Sequence, residues 1–134
     1  MHVDRVAASV VDSALRIHRG VGPGLLESVY EALLARELER RGHHVERQKL
    51  VVFEFDGVVF EEGLRIDLLV DRLVVVELKS VERMLNVHYK QLLTYLRLMK
   101  LPVGLLINFG APTLKEGLRR VVNNHHPSRL RGLA

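Results

Sequence analysis

Asp67, Glu77 and Lys79 draw attention first, because they interrupt two runs that otherwise read as buried aliphatic strands, Arg65-Ile66-Asp67-Leu68-Leu69-Val70 and Val74-Val75-Val76-Glu77-Leu78-Lys79. Unpaired charge is costly to bury, so charges held in such strands have partners or a task. Glu77 and Lys79 alternate with Val76 and Leu78 and therefore leave the same face of their strand. Where Asp67 falls depends on the turn around Asp71-Arg72. A three-residue loop pairs Val70 with Val74 and sets Asp67 opposite Glu77, with Cβ atoms about 4.5–5.5 Å apart. A two-residue loop puts them on opposite faces, because one step of register turns every side chain over. Two carboxylates and an ammonium on one face suit metal-assisted hydrolysis. Carboxylate oxygens hold Mg2+ or Mn2+, such an ion activates water and steadies charge developing on phosphorus, and a lysine orients the water. The plain alternative is an acid–lysine pair on a solvated sheet face.

Two helical segments could complete such a site. In the segment 83–100, Leu85, Tyr89, Leu92, Leu96 and Met99 make an apolar seam, and a second stripe one residue earlier carries His88, Gln91 and Tyr95 at the edge of the core. Upstream, Gly24-Leu25-Leu26-Glu27-Ser28-Val29-Tyr30 opens a helix and places Glu27 and Tyr30 in its first turns. A carboxylate there gains about 0.3–1 kcal/mol from the helix dipole alone, which is the structural reason for Glu27; the functional one is a third acid near a metal. His125-His126 lacks partner ligands for zinc, and Gly20–Gly24 has no GK[S/T], so neither a zinc site nor a phosphate-binding P-loop is expected.

The elements that position these residues follow from periodicity. Val6, Val10, Ala14 and Ile17 predict a helix from Asp4 to Arg19; Gly20-Val21-Gly22-Pro23-Gly24 breaks it, and a second helix runs to Arg41 with Gly42 as its stop. Residues 44–55 are extended, and Asp56-Gly57 predicts a hairpin with Phe53, Phe55, Val58 and Phe60 on one face. Strands follow over Leu64–Val70 and Leu73–Leu78, then the 83–100 helix ended by Pro102, then a buried strand over Val103–Phe109; Lys115–Val122 reads as a short strand or a helical turn, with strand preferred. This order predicts an α/β (α+β) domain, a mixed sheet flanked by helices, over residues 1–123 of the 134. Residues 119–134 hold four arginines and no acid, which accounts for the whole formal charge of +4 and leaves the preceding body neutral. A basic, flexible tail over 124–134 is therefore expected, and nucleic-acid binding is permitted rather than demanded. The absence of cysteine excludes disulfides and thiolate chemistry, and no apolar run is long enough to span a membrane, so the expectation is a cytoplasmic domain without membrane contact.

Five blocks taken together carry a resemblance. Gly24 to Tyr30, approached through His18 and Gly22-Pro23, resembles the signature of the GxxExxY protein family. Asp67-Leu68-Leu69-Val70, Glu77-Leu78-Lys79, the Gln91-to-Leu96 block and Leu106-Ile107-Asn108-Phe109-Gly110 follow in that family's order, and the match runs from Val6 to Val122. That family is placed in the PD-(D/E)XK nuclease-like superfamily. The resemblance implies a Mg2+-dependent (or Mn2+-dependent) nuclease hydrolysing phosphodiester bonds, DNA ahead of RNA. Position by position, it makes Asp67 and Glu77 metal ligands, Glu27 the first-helix acid and a further ligand, Lys79 the catalytic lysine, and Gln91 with Tyr95 an accessory helix motif. Ile66 stands where the superfamily's proline would; that proline shapes the strand and does no chemistry. The rival reading is a catalytically silent nucleic-acid- or protein-binding module with the same fold. A homodimer would double the footprint on a duplex, and a partner protein supplying recognition is the other assembly that a neutral body suits.

Overall fold

The structure is a computed structural model and describes residues 2–124. All but the first residue of the expected basic tail, including His125-His126, Arg129 and Arg131, thus lies outside the described residues. In chain order the elements are α1 (His2–Val21), α2 (Glu27–Arg40), β1 (Val45–Phe55), β2 (Val58–Val70), β3 (Val74–Lys79), α3 (Asn86–Met99), β4 (Val103–Asn108), α4 (Leu114–Gly117) and β5 (Leu118–Val122). The strands form one sheet in sequence order, antiparallel throughout except for the parallel pair β3–β4. A parallel pair cannot be closed by a tight turn, so α3 serves as its crossover.

Alternation along the strands sorts the core into two layers. Leu68, Val70, Val74, Val76, Leu78, Leu105 and Ile107 face α1 and α2, where Val6, Val10, Ala14, Leu34 and Leu38 meet them. Ile66, Leu69, Val75 and Leu106 face the other way and are covered by Leu92 and Leu96 of α3. Strands buried on both faces read as continuous aliphatic runs, which is why the two central ones were legible and why charges within them stood out. No helix among the described residues is long and apolar enough to cross a membrane.

Three turns decide the registers. Asp56 and Gly57 both take positive φ (53° and 78°), as a two-residue hairpin turn requires, and Phe53 stacks on Phe60 with ring centroids 5.1 Å apart. Between β2 and β3 the three-residue loop is realised: Val70 pairs with Val74 and Leu68 with Val76 across Asp71, Arg72 and Leu73. The loop is tied down by Asp71, whose carboxylate accepts from the His44 N–H (2.8 Å) and contacts His43 Nδ1 (2.6 Å). Before α2, the Tyr30 hydroxyl accepts from the Leu25 N–H (3.1 Å) and donates to the Gly22 carbonyl (2.6 Å), while its ring lies flat on Phe109 at 4.3 Å. Tyr30 therefore holds the glycine-rich turn against the core. Replacing Tyr30 with phenylalanine keeps the stacking and removes both bonds; a loss of about 1–2 kcal/mol is expected, read by chemical denaturation.

One element differs from expectation and one open segment is resolved. The helix expected from residue 83 begins at Asn86, and Leu85, expected in the apolar seam, is 53% exposed. Its N–H donates to His88 Nδ1 (3.1 Å), so His88 satisfies a backbone group at the helix start and end-capping overrides the periodicity. The segment left between a strand and a helical turn is both: a single helical turn, α4, with the Thr113 hydroxyl accepting from the Glu116 N–H, and then the preferred strand as β5.

Candidate active site

The sheet comes apart at the level of Asp67. The last paired residues of β2 and β3 at this end are Leu68 and Val76. One step further the carboxylates take over the bonding: the Asp67 N–H donates to Glu77 Oε2 (2.7 Å), and the Leu78 N–H donates to Asp67 Oδ2 (2.8 Å). The alternation of β2 breaks at the same point, since Ile66 and Leu69 both pack under α3 while Leu68 and Val70 pack under α1 and α2. Across the sheet, Gln48 of β1 adopts left-handed φ (47°) between Arg47, opposite Leu68, and Lys49, opposite Ile66. Both strands are thus kinked beside Asp67.

The electrostatics of this spot are those of crowded, poorly hydrated acid. Burial pushes the Glu77 carboxyl up to about 8, and the neighbouring Asp67 charge pushes the same way. Asp67 is also raised, chiefly by burial, against the opposing pull of the Leu78 N–H, the Gln48 amide and the Lys79 ammonium. Lys79 lowers both carboxyls, which places its charge at the site. On the α3 side, the Tyr95 phenol is raised by its own burial and then by Glu77 and Asp67, so it faces the same acids.

A third carboxylate enters from α2. Glu31 is only 7% exposed, its charge raises both Asp67 and Glu77, and it accepts from Arg47 Nε (3.0 Å) and from the Gln48 amide. The Gln48 amide also reaches Asp67 Oδ1 (3.3 Å). Neither Glu31 nor Gln48 stood out in the sequence. For Glu31 the signal was present: with Leu34, Ala35 and Leu38 it occupies positions i, i+3, i+4 and i+7 of an apolar stripe, where an acid needs a reason. Nothing in the extended run around Gln48 announces its backbone conformation.

Glu27, one turn before Glu31, is exposed and lines a separate cleft of about 740 Å3 with Pro23–Ser28, Ser80–Glu82 and Gly110. Four hydrogen bonds shape that cleft. Ser80 Oγ donates to the Leu25 carbonyl (2.6 Å); the Asn108 side chain accepts from the Val81 and Gly110 N–H groups and donates to the Val81 carbonyl. Gly110 completes it, because any Cβ there would run into the Val81 backbone. Gln91 is exposed on α3, one turn before Tyr95. The structure therefore brings together Asp67, Glu77, Lys79 and Tyr95, adds Glu31 and Gln48, and sets Glu27 on the neighbouring cleft.

Among the described residues, no three His, Cys, Asp or Glu side chains are gathered into a ready-made metal cluster. The donor chemistry still fits a hard divalent cation. Asp67 and Glu77 offer carboxylate oxygens whose mutual repulsion and burial a cation would relieve, and an ion of the Mg2+ type needs only one or two protein carboxylates because it keeps several waters. No curated protein and no solved structure matches the chain. A family model described as the PD-(D/E)XK nuclease superfamily matches residues 4–121, spanning α2, the kinked β2 and the Glu77–Lys79 segment of β3. With nearly its whole length so matched, and with acid, acid and lysine meeting where two central strands part, the chain belongs to the PD-(D/E)XK nuclease superfamily.

Proposed function

We propose that the protein is a divalent-metal-dependent nuclease of the GxxExxY type that hydrolyses phosphodiester bonds, with DNA as the first substrate to offer and RNA as the second. The observation that carries this reading is the strand opening where Glu77 accepts the Asp67 N–H and Asp67 accepts the Leu78 N–H, with Lys79 on the same strand face as Glu77. Asp67 and Glu77 would hold Mg2+ or Mn2+. Glu31 is the helix acid closest to them in this reading, and Glu27 serves the adjoining cleft. A bound ion of this kind supplies Lewis acidity and offsets the charge developing at the scissile phosphate. The Lys79 ammonium orients the attacking water and donates to the phosphate oxygens as they gain charge. Tyr95, within electrostatic reach of both acids, and Gln91, exposed one turn earlier on α3, would contact the substrate beside the metal.

The test offers single- and double-stranded DNA and RNA to wild type and Lys79→Ala with Mg2+, Mn2+ or EDTA. Cleavage by wild type only with metal is expected. Lys79→Ala should fall by about 100-fold or more with folding and metal affinity retained, the scale on which a preorganised charge acts in a transition state. A wild-type protein that binds no divalent cation would sink the enzyme reading and leave the silent binding module.

A further inference from the structure

Gln48 combines two features that the fold alone does not require. Its backbone sits at a φ of 47° inside β1, a conformation that side chains other than glycine adopt rarely and that persists only where the surroundings impose it. Its side-chain nitrogen donates to two carboxylates from different elements, Glu31 Oε1 of α2 (2.5 Å) and Asp67 Oδ1 of β2 (3.3 Å). A primary amide nitrogen carries two hydrogens, so one atom can serve both acids. The other oxygen of each acid is also held, by Arg47 Nε on Glu31 and by the Leu78 N–H on Asp67.

The choice of an amide has a chemical logic. Lysine or arginine at this position would satisfy the acids but would bring a positive charge that competes with a cation for them. Glutamate would add a third negative charge and no donor. A hydroxyl has a single hydrogen and could serve only one acid. A neutral double donor draws two like charges together and leaves their charge available.

Resting on the metal-dependent reading above, we propose that Gln48 is a positioning residue: its strained backbone aims one amide at Glu31 and Asp67, and by tying Asp67 to the buried Glu31 it presets Asp67 for a divalent cation. Groups that orient metal ligands from behind typically change affinity by about 10–100-fold when removed. Strain kept for such a purpose should be releasable without unfolding the protein.

Two variants separate positioning from support. Gln48→Met keeps length and removes both donors; Gln48→Gly removes them and relaxes the backbone. Mn2+ titration of wild type and both variants, with thermal unfolding in EDTA, gives the readouts. Mn2+ affinity should fall about 10–100-fold in both. The unfolding midpoint of Gln48→Gly should stay within about 3 °C of wild type, because relief of the left-handed backbone offsets the lost hydrogen bonds. Affinity within twofold of wild type in both variants would overturn the proposal and leave the metal reading intact. So would a midpoint for Gln48→Gly that falls together with affinity, since that marks a structural role. A wild type that binds no Mn2+ overturns the metal reading and this proposal together.

Discussion

Asp67→Asn should abolish metal-dependent cleavage, lowering the rate by about 1,000-fold or more, while the protein stays folded. The two halves of that expectation come from different atoms. Asp67 Oδ2 accepts the Leu78 N–H and so joins β2 to β3 where their backbone pairing has ended. Asparagine has the same size, and its carbonyl oxygen can accept that bond, so the strand junction survives. What is lost is the negative charge, and the site places Asp67 in direct contact with Glu77 through its own N–H. A cation held between the two would lose half its carboxylate partnership, and the loss should be at least as large as removing one preorganised donor from a transition state, about 100- to 1,000-fold. There is a counter-intuitive companion result. Because the Asp67 charge is one cause of the elevated Glu77 pKa, neutralising it relieves repulsion, and the metal-free variant should be at least as stable as wild type at pH 8. Cleavage assays with Mg2+ and Mn2+, beside circular dichroism and denaturation in EDTA, read both. Near-wild-type cleavage by a folded Asp67→Asn would remove Asp67 from the catalytic centre.

The strand pair that carries this site was legible because its chemistry breaks a rule. Valine-rich strands with charges at Asp67, Glu77 and Lys79 violate the pattern of a two-sided buried strand, and the choice between a two- and a three-residue turn then had one answer that brought the acids together. The helix acid was harder. Glu27 belongs to the recognisable Gly24-to-Tyr30 motif and stands at a helix start, where an acid is favourable anyway. Glu31 sits one turn on, between buried Tyr30 and Leu34, and periodicity singles it out only if a polar residue on an apolar stripe is treated as the signal. Gln48 could not be read at all. Its left-handed backbone lies across from Asp67, where β2 changes the face it presents, and carries no local sequence mark. The start of α3 departs from periodicity for the opposite reason: Met84 and Leu85 continue the apolar rhythm, but the bond from the Leu85 N–H to His88 sets the end. Tyr30 shows how a motif residue divides its roles, since its ring and hydroxyl are spent on Phe109, Gly22 and Leu25 and not on the acids.

Metal-free wild type should lose stability as pH rises from about 5 to about 8, and Glu77→Gln should largely remove that loss. Glu77 titrates near 8 in the folded protein, against the ordinary 4.5. Between those values the native state keeps a proton that the unfolded chain has released, so raising the pH favours unfolding. The contribution is fully present below the unfolded pKa, is lost progressively through the window, and is gone above the folded pKa. A shift of this size corresponds to a swing on the order of 4–5 kcal/mol at about 1.4 kcal/mol per pH unit, with Asp67 adding in the same direction. Below the window the slope reverses, because the Arg41 hydrogen bond to Glu37 and the Lys49 hydrogen bond to Glu46 hold those carboxyls low, and their stabilisation disappears as they protonate. Stability should therefore peak near pH 5. Glutamine at 77 retains an oxygen for the Asp67 N–H and cannot ionise, so its curve should keep only the smaller Asp67 contribution, be much shallower from pH 5 to 8 and lie above wild type at the alkaline end. A divalent cation should reverse the ranking. It binds the ionised native form, so saturating Mn2+ should restore wild type at pH 8 by a concentration-dependent amount and leave Glu77→Gln almost unmoved. Denaturant titrations across this range, in EDTA and in Mn2+, make the measurement. Parallel pH curves for the two proteins would show that Glu77 does not carry the buried charge, and a Mn2+ response in the variant equal to wild type would remove Glu77 from the ligand set.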